Sequence, residues 1–393
     1  MTDKSGAPLA NTNGVKHGLY RVKSKDPIKS QRIRRRVNRR LEGVASELRP
    51  VMRRVTYAMV EIEDRLETGL LNFWYLVADA NWITQEPVGL KRLDQDIVLW
   101  RNENGEINVV EDRCPHRGAR LSKGRVHRGR ITCSYHGVQL NGEGIIMETP
   151  ATPDCPLVGK KAIRSYPCRE FKGAVWVYFG DEHHKDPNEM ILPEEFSSND
   201  WSSFLFSQVW NCNYQCVLDN RLDPMHGSYL HASSYTLAYG NKQDRLNIEE
   251  TKLGFVVSRE SQIGVNIDRT EMFHYPGNNI WIQTEIPYPP SGGGGFFRIG
   301  GFVTPVDRSS CLFWVYRSQK SSGWRRDLWR FLYKNRLEER HLEVLEQDRD
   351  MLESIYEHSQ KNEWLLQTDV GVARLRKILN KEAENQVDAP KVT

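Results

Sequence analysis

Two short loops near the middle of the chain each carry one cysteine and one histidine. The first reads Cys114-Pro-His116-Arg-Gly118, and the second reads Cys133-Ser-Tyr-His136-Gly, with sixteen residues between His116 and Cys133. Thiolate sulfur and imidazole nitrogen are ligands for transition metals, and a glycine in each loop lets the chain turn tightly. Cys114, His116, Cys133 and His136 therefore form a candidate four-ligand metal site.

Two kinds of metal site compete for these four ligands. Structural zinc is the simpler interpretation, but zinc fingers keep their cysteines close together and their histidines close together. Here each loop offers one of each, which is the arrangement of a Rieske [2Fe–2S] cluster, with two cysteines on one iron and two histidines on the other. The spacing therefore favours the cluster over zinc.

A second pair of candidate ligands, His226 and His231, follows in the stretch DNRLDPMHGSYLH, which begins at Asp219. On a regular helix the two histidines point about 140° apart, so such a helix does not direct both at one metal. We expect Gly227 to relax the backbone and let them converge. Two histidines still need a carboxylate to complete the two-His-one-carboxylate site of a non-haem Fe(II) oxygenase.

Asp348 is the candidate for that carboxylate. It lies three residues after Leu345 and four before Leu352, on the apolar stripe of a C-terminal helix that also includes Leu342 and Ile355. A carboxylate on the inward face must be compensated by a cation, a hydrogen-bond network or a metal, and an internal salt bridge with an arginine is the alternative. Asp350, by contrast, falls off the stripe.

Composition limits the class of protein. The 393 residues are 39% hydrophobic and 27% charged, which excludes wholesale disorder, and no run of about 18 apolar residues occurs, so no membrane span is expected. The N-terminus has no apolar signal core, and seven cysteines are too few for a disulfide scaffold, so we expect a cytoplasmic protein with reduced thiols or thiolate ligands.

Charge is distributed unevenly. Residues 1–54 carry a net charge of +11, and the other 339 residues sum to −7, so binding of nucleic acid by the whole chain is not implied. Residues 113–130, around the first Cys–His loop, hold seven Lys and Arg and no Asp or Glu. We expect this stretch to attract an acidic redox partner, and the alternatives are a solvated face or pairing with acidic residues of a neighbouring subunit.

Residues 1–30 are polar and are expected to form a loose arm. Beyond them, Val37, Leu41 and Val44 begin an apolar stripe at spacings of four and three that runs to Ile62, with Pro50 inside it, which predicts two helices or a kinked one. Arginines line the opposite face. This helical region either packs on its own protein with a solvated basic face or lies on an anionic membrane surface.

Short β-like segments begin at Phe73 and continue to about residue 182, and residues 183–200 are expected to be a linker. Further strands follow, with helices from Trp324 to the C-terminus. The glycine run Gly292–Gly295 is expected to be a loop, because no strand leads into it and no helix follows it, as a dinucleotide fingerprint requires.

Together the two motifs resemble those of the catalytic (oxygenase) subunit of Rieske non-haem iron oxygenases, the aromatic ring-hydroxylating dioxygenase family. CPHRG and CSYHG are similar to that family's cluster loops, DNRLDPMHGSYLH to its iron motif, and EQDRDMLE to the helix with the third iron ligand. The resemblance covers about residues 72–380, and residues 1–70 depart from it.

The resemblance implies an α+β fold in three parts. Residues 1–70 are a basic N-terminal extension with an amphipathic helix. Residues 71–182 are a Rieske [2Fe–2S] β-sandwich domain. Residues 183–393 are a helix-grip (START-like) catalytic domain, with an antiparallel sheet and C-terminal helices.

The resemblance also implies the cofactors. The four loop residues hold the [2Fe–2S] cluster, and His226, His231 and Asp348 hold a mononuclear non-haem Fe(II) where O2 is the co-substrate. Electrons come from NAD(P)H through a ferredoxin and/or a flavin reductase, because no flavin or nicotinamide motif is visible in the chain. The expected substrate is an apolar, aromatic or other ring compound, in keeping with aromatic compound catabolism.

A head-to-tail homotrimer is implied as well. His136 of one chain is expected to contact Asp223 of the next, and Asp223 holds His226, so that the carboxylate couples the two metal centres. Asn220 is expected to line the iron pocket. The alternatives are a Rieske O- or N-demethylase or desaturase, which metal motifs cannot distinguish from a ring dioxygenase, and a Rieske electron-transfer protein without the mononuclear iron.

Overall fold

A computed structural model of the chain describes residues 27–44, 48–181, 187, 189–234, 237, 240–262, 267–287, 296–356, 359 and 362–387. Most of the expected N-terminal arm, part of the expected linker, and the run Gly292–Gly295 lie outside these residues. The chain divides into two compact units. The first contains the described residues of Met1–Asp64, Ala78–Val177 and Val387–Thr393, and the second those of Arg65–Val77 and Tyr178–Gln386.

Two helices occupy the N-terminal region, α1 (Pro27–Arg40) and α2 (Arg49–Thr68). Pro50 lies in the first turn of α2, where the absence of an N–H group costs nothing. Ile33, Val37 and Leu41 of the first helical stretch are buried with Val60 of α2. Helix α1 therefore packs on α2, whereas Leu48 and Val55 of the predicted apolar stripe are exposed.

Ion pairs join the same two helices. Arg36 and Arg40 of α1 both reach the carboxylate of Glu63 on α2, at 2.6 and 2.5 Å. Arg32 lies 3.0 Å from the buried carboxylate of Asp64 and 3.0 Å from that of Asp94. Part of the arginine-rich face is thus paired within the first unit.

Small antiparallel sheets make up the rest of the first unit. Strands β2 (Val88–Arg92), β3 (Gln95–Arg101) and β4 (Ile107–Glu111) form one sheet in that order. Strands β5 (Arg125–His127), β6 (Arg130–Thr132), β7 (Gln139–Leu140) and β8 (Ile146–Glu148) form another. A tight hairpin joins β9 (Cys168–Phe171) to β10 (Ala174–Tyr178). Strand β1 (Trp74–Asp79), most of which belongs to the second unit, precedes all of them in the chain.

The second unit is built on one seven-stranded antiparallel sheet. Its strands are β11 (Trp201–Trp210), β12 (Leu246–Thr251), β13 (Gly254–Arg259), β14 (Arg269–Tyr275), β15 (Asn279–Pro287), β16 (Phe296–Pro305) and β17 (Cys311–Lys320). Their order across the sheet is β11-β17-β16-β15-β14-β13-β12. Apart from β11, every strand therefore pairs with its neighbour in the chain, and β11 adds to the sheet beside β17.

Helices accompany this sheet. The short helices α3 (Glu194–Ser197), α4 (Tyr214–Arg221) and α5 (Gly227–Leu230) lie between strands in the sequence. At the C-terminus, α6 (Gly323–Leu332) leads through one π-helical turn into α7 (Glu338–Glu353), and α8 (Val370–Asn385) follows. No helix among the described residues combines the length and the apolar character needed to cross a bilayer.

The expected α+β class is confirmed, with antiparallel sheets first and then a sheet-rich unit with C-terminal helices. The structure has strands in both regions where the sequence predicts them, from Trp74 to Tyr178 and from Trp201 to Lys320. Ile355 differs from its expected place, because α7 ends at Glu353 and Ile355 is exposed beyond the helix. The boundaries of the three expected domains stay a prediction.

Candidate metal centres

The two Cys–His loops share one backbone construction. In each, the N–H of a glycine four residues after the cysteine donates to the cysteine carbonyl oxygen at 2.9 Å, from Gly118 to Cys114 and from Gly137 to Cys133. Both glycines have positive φ angles, 76° and 73°, which residues with a side chain rarely adopt. The glycine of each motif is therefore required by the tight turn that carries the cysteine and the histidine.

The four side chains form a buried sulfur pair and a more exposed imidazole pair. Cys114 and Cys133 are each 2% exposed, belong to the hydrophobic core of the first unit, and have their thiols within hydrogen-bonding reach. The rings of His116 and His136 have their centroids 4.5 Å apart. Two sulfur donors thus lie together and two nitrogen donors lie together, as a cluster with one cysteine-bound and one histidine-bound iron requires.

In the metal-free site, burial shifts the pKa of Cys114 and that of His116 toward the neutral form of each group. Burial raises the pKa of the Cys114 thiol to about 11, and the adjacent Cys133 adds to the rise. Such thiols ionise when a metal cation holds them as thiolates. Burial, together with His136 and Arg117, lowers the pKa of His116, so its imidazole is neutral and able to bind a metal. The donor set therefore fits a [2Fe–2S] cluster.

The second unit brings His226 and His231 together. His226 caps the N-terminus of the four-residue helix α5, and His231 follows its C-terminus with φ −99° and ψ 27°. The two rings have their centroids 5.3 Å apart. The histidines converge because the helix ends before His231, whereas Gly227 itself is an ordinary helical residue, so the expected relaxation at Gly227 is wrong.

Asp348 of α7 lies between the two histidines. Its Oδ1 atom is 3.4 Å from Nε2 of His226 and 3.2 Å from Nε2 of His231. One ligand atom from each of the three side chains lies within 4.8 Å of the others. Within the described part of the chain, this is the one such group of three His, Cys, Asp or Glu side chains.

Hydrogen bonds orient these three side chains. Nδ1 of His231 is 2.8 Å from Oε1 of Gln347, and Nδ1 of His226 contacts the carbonyl oxygen of Asp223. Because both Nδ1 atoms have an acceptor, both Nε2 atoms are left for a metal. The amide of Asn220 donates to Oδ1 of Asp348 at 3.2 Å. The sequence offered no signal for Gln347 beyond its position next to Asp348.

The charges at this site are coupled. Burial alone opposes the ionised form of Asp348, but hydrogen bonds from His226 and His231 outweigh it and hold the pKa of that carboxyl well below its usual range. Burial likewise opposes the charged form of His226, yet the hydrogen bond and charge of Asp348 raise the pKa of His226. A buried carboxylate in contact with two imidazoles is a suitable ligand set for a divalent cation. Two nitrogen ligands and one oxygen ligand suit Fe(II) in particular.

Two acidic residues before the histidines have different surroundings. The Oδ1 atom of Asp223 accepts the backbone N–H of Met225 at 2.8 Å, and its Oδ2 atom lies 3.8 Å from Nδ1 of His226. Asp219 instead pairs with Arg376 of α8 at 2.6 Å. Burial raises the pKa of the Asp219 carboxyl to about 6 although Arg376 opposes that rise. Asp223 is thus beside the candidate iron ligands, whereas Asp219 braces α4 against α8.

Comparison with known protein families gives two matches. Residues 73–167 match the Rieske [2Fe-2S] domain, and residues 210–385 match the vanillate O-demethylase oxygenase C-terminal domain. The first match contains the two Cys–His loops, and the second contains His226, His231 and Asp348.

Curated relatives include two O-demethylase components. The chain is 37% identical over 164 residues to the vanillate O-demethylase oxygenase subunit of Pseudomonas sp. (strain HR199 / DSM 7063), covering 42% of this chain and 45% of that protein. It is 31% identical over 189 residues to the dicamba O-demethylase oxygenase component of Stenotrophomonas maltophilia, covering 46% and 52%. The aligned region thus spans about half the length of these relatives.

Solved structures share the fold over most of the chain. A fluorene-bound oxygenase in the oxygenase–ferredoxin complex of carbazole 1,9a-dioxygenase superposes with a TM-score of 0.68 at 20% identity, covering 84% of this chain and 96% of that one. Dicamba monooxygenase bound to dicamba superposes with a TM-score of 0.62 at 18% identity, covering 80% and 98%. The chain thus combines a match to the Rieske [2Fe-2S] domain with a match to the vanillate O-demethylase oxygenase C-terminal domain, and its curated relatives include Rieske oxygenase subunits.

Proposed function

We propose that this chain is the terminal oxygenase component of a Rieske oxygenase system. It uses O2 and electrons that originate from NAD(P)H, delivered by a ferredoxin and/or a flavin reductase, to hydroxylate an aromatic or other apolar ring substrate. The observation that carries the proposal is the convergence of His226, His231 and Asp348 in a chain that also has the four cluster residues. A Rieske protein that only transfers electrons does not require a second metal site.

The site residues have separate tasks in this proposal. When bound, the cluster supplies single electrons and the mononuclear Fe(II) supplies O2 activation beside the substrate. His226, His231 and Asp348 provide three ligands, which leaves the other coordination positions open for co-substrate and substrate. Gln347 fixes the tautomer of His231, and the carbonyl of Asp223 fixes that of His226. Asn220 holds the Asp348 carboxylate in place.

Coupling between the centres is proposed to cross a subunit boundary in a head-to-tail homotrimer. His136 of one chain would hydrogen-bond the Asp223 carboxylate of the next, which stands beside His226. Exposed aromatic side chains next to both centres support such an interface. The ring of Tyr135 is tilted against that of His136 with centroids 4.0 Å apart, and Tyr229 lies on α5 between the two candidate iron histidines. Exposed apolar groups beside a functional site commonly mark a contact surface.

The redox partner is proposed to bind at the basic residues of 113–130. Arg113 and Arg120 lie near carboxylates of their own unit, whereas Arg125 and Arg128 are exposed. An acidic ferredoxin or reductase would be steered to this surface. A weaker contact, between the exposed arginines of α1 and an anionic membrane surface, is proposed as a secondary feature of the N-terminal extension.

A second candidate function is O- or N-demethylation, or desaturation, by the same metal centres. The match of residues 210–385 to the vanillate O-demethylase oxygenase C-terminal domain favours it. In both functions the substrate is an apolar small molecule, and its position relative to the iron decides which bond is oxidised.

A substrate screen tests the proposed function. The purified full chain is combined with a surrogate reductase and ferredoxin, NAD(P)H, O2 and a panel of apolar ring compounds, some of which carry methoxy groups. Mass spectrometry distinguishes addition of one oxygen, addition of two, and loss of a methyl group. Incorporation of 18O from labelled O2 into a product, absent with Asp348→Ala, supports an oxygenase, and the mass change selects between the two candidate functions. If no compound is oxidised while the chain still accepts electrons, the electron-transfer alternative is favoured.

A further inference from the structure

Helix α6 (Gly323–Leu332) packs on the second unit through one face only. Trp329 and, in the π-helical turn that follows, Tyr333 are buried in a cluster with Phe297 of β16. Both also contact Phe204 of β11, with ring centroids 5.3 and 4.6 Å from it. These two aromatic residues, four apart, fix which side of the helix faces the sheet.

The opposite side of α6 is also apolar. Trp324, Leu328, Phe331 and Leu332 recur at the spacing of one helical face, and they are 71%, 47%, 63% and 38% exposed. At about 100° per residue the centre of this stripe lies about 115° from Trp329 and about 155° from Tyr333, so the stripe faces away from the sheet. A surface helix normally turns polar residues to the solvent, so an outward stripe with a tryptophan and a phenylalanine requires an explanation. We call these four residues the α6 ridge.

Basic side chains accompany the ridge. Residues 323–336 contain five Lys and Arg and one acidic residue, Asp327, which gives them a net charge of +4. Residues 55–393, to which they belong, have a net charge of −7. Arg330 and Lys334 lie over the ring of Phe204, with their charged groups 4.6 and 5.2 Å from its centroid. Arg325 is exposed beside the ridge, with its guanidinium carbon 5.8 Å from the ring centroid of Trp324, and Arg326 is exposed 3.6 Å from the carboxylate of Asp327. The outward surface therefore combines bulky apolar groups with positive charge.

We propose that the α6 ridge binds an anionic lipid surface, with α6 lying in the plane of the membrane interface. Tryptophan, phenylalanine and leucine beside arginine are the composition of helices that insert a few ångströms into the headgroup region of anionic membranes. A stable protein interface needs about 20 to 30 residues on each side, whereas the ridge has four. A narrow strip of residues is sufficient for binding to an anionic lipid surface, because the lipid headgroups carry the negative charge that complements the arginines.

Membrane binding by the α6 ridge does not depend on the reaction that the protein catalyses. It is also distinct from the proposed contact of α1, because the ridge belongs to the other unit. Binding at the interface requires no membrane-spanning segment.

Vesicle binding by the full chain tests the proposal. Flotation is measured with vesicles of phosphatidylcholine mixed with phosphatidylglycerol and with vesicles of phosphatidylcholine alone. We expect binding to the anionic vesicles that weakens as salt is added. The combined substitutions Trp324→Ser, Leu328→Ser and Phe331→Ser should lower the partition coefficient at least about tenfold, since each removes a large apolar side chain from the interface. Arg325→Glu with Arg326→Glu should lower it on anionic vesicles only.

Trp364 provides a matched control, because it is 92% exposed in the same unit but lies outside α6. Trp364→Ser should bind as the unsubstituted protein does. Brominated acyl chains should quench part of the tryptophan fluorescence, and Trp324→Phe should lose that quenched fraction while it still binds. Circular dichroism checks that every variant is folded.

Three results would overturn the proposal. The protein could fail to bind anionic vesicles, or the triple variant could bind as well as the unsubstituted chain, which would assign any binding to another surface such as α1. Light scattering could instead show that the triple variant has a smaller molar mass, and the ridge would then be a contact between copies of the chain.

Discussion

Gln347 accepts a hydrogen bond from His231 across 2.8 Å, although 116 residues separate them in the chain. His231 is buried and uses its other ring nitrogen to face Asp348, the residue next to Gln347 on α7. One turn of α7 thus supplies both a candidate iron ligand and the group that orients another. The position of α7 against α5 is therefore part of the candidate site.

Replacing Gln347 by alanine should weaken Fe(II) binding about 10- to 100-fold, because His231 loses the acceptor that selects its tautomer. Titration of chelator-treated protein with Fe(II) measures this directly. Gln347→Glu keeps an acceptor and should bind iron nearly as well as the unsubstituted protein. Asp350→Ala, an exposed change on the same helix, is the control and should have no effect. Equal affinity in the alanine variant would remove Gln347 from the site.

Replacing Asp223 by asparagine should leave both metal centres loaded and slow the passage of electrons between them, because the proposed bridge loses its charge and acceptor strength. Single-turnover mixing of the reduced protein with O2 and substrate follows oxidation of the cluster by its visible absorbance. Asp219→Asn, which disturbs a carboxylate paired with Arg376, controls for structural damage to α4. Cluster oxidation at the unsubstituted rate in Asp223→Asn would refute the bridging role.

The affinity for Fe(II) should fall as the pH falls. This decrease should begin at a higher pH than it would for a histidine ligand with an ordinary pKa. The pKa of His226 is raised in the metal-free site, although burial opposes its charged form, because Asp348 hydrogen-bonds and attracts the imidazolium. A raised pKa means that the proton is held up to a higher pH, so Fe(II) must displace it there. Fe(II) titrations between about pH 5 and pH 8 measure the effect. Affinity that does not change over this range would contradict the assignment of His226.

Reduction of the cluster by its protein donor should slow steeply as salt rises, because ions screen charges over about 8 Å at physiological strength. Arg125→Glu with Arg128→Glu should slow it further at low salt and leave reduction by dithionite unchanged. Lys160→Glu with Lys172→Glu makes the same change in charge on exposed residues outside 113–130 and should have a smaller effect. If the reduction rate changes neither with salt nor with the two arginine substitutions, this surface is excluded as the docking site.

The candidate metal ligands could be predicted from the sequence, whereas the contacts between distant helices could not. The two Cys–His loops were identifiable because a metal cluster demands fixed ligand types, and their glycines are required locally at positive φ. Asp348 was identifiable because a carboxylate on an apolar helical stripe needs compensation. Gln347 was not, since its partner His231 comes from another helix and no periodicity records that contact. The outward stripe of α6 was likewise hidden, because a stripe in a sequence does not say which face a helix buries.

If one chain holds both metal centres, the content of iron and acid-labile sulfide per chain reveals it. The unsubstituted protein should contain three irons and two sulfides. Asp348→Ala should contain two irons and two sulfides, keep the visible spectrum of the cluster, and form no oxygenated product. Two irons in the unsubstituted protein, or a third iron and full activity retained by Asp348→Ala, would contradict the account.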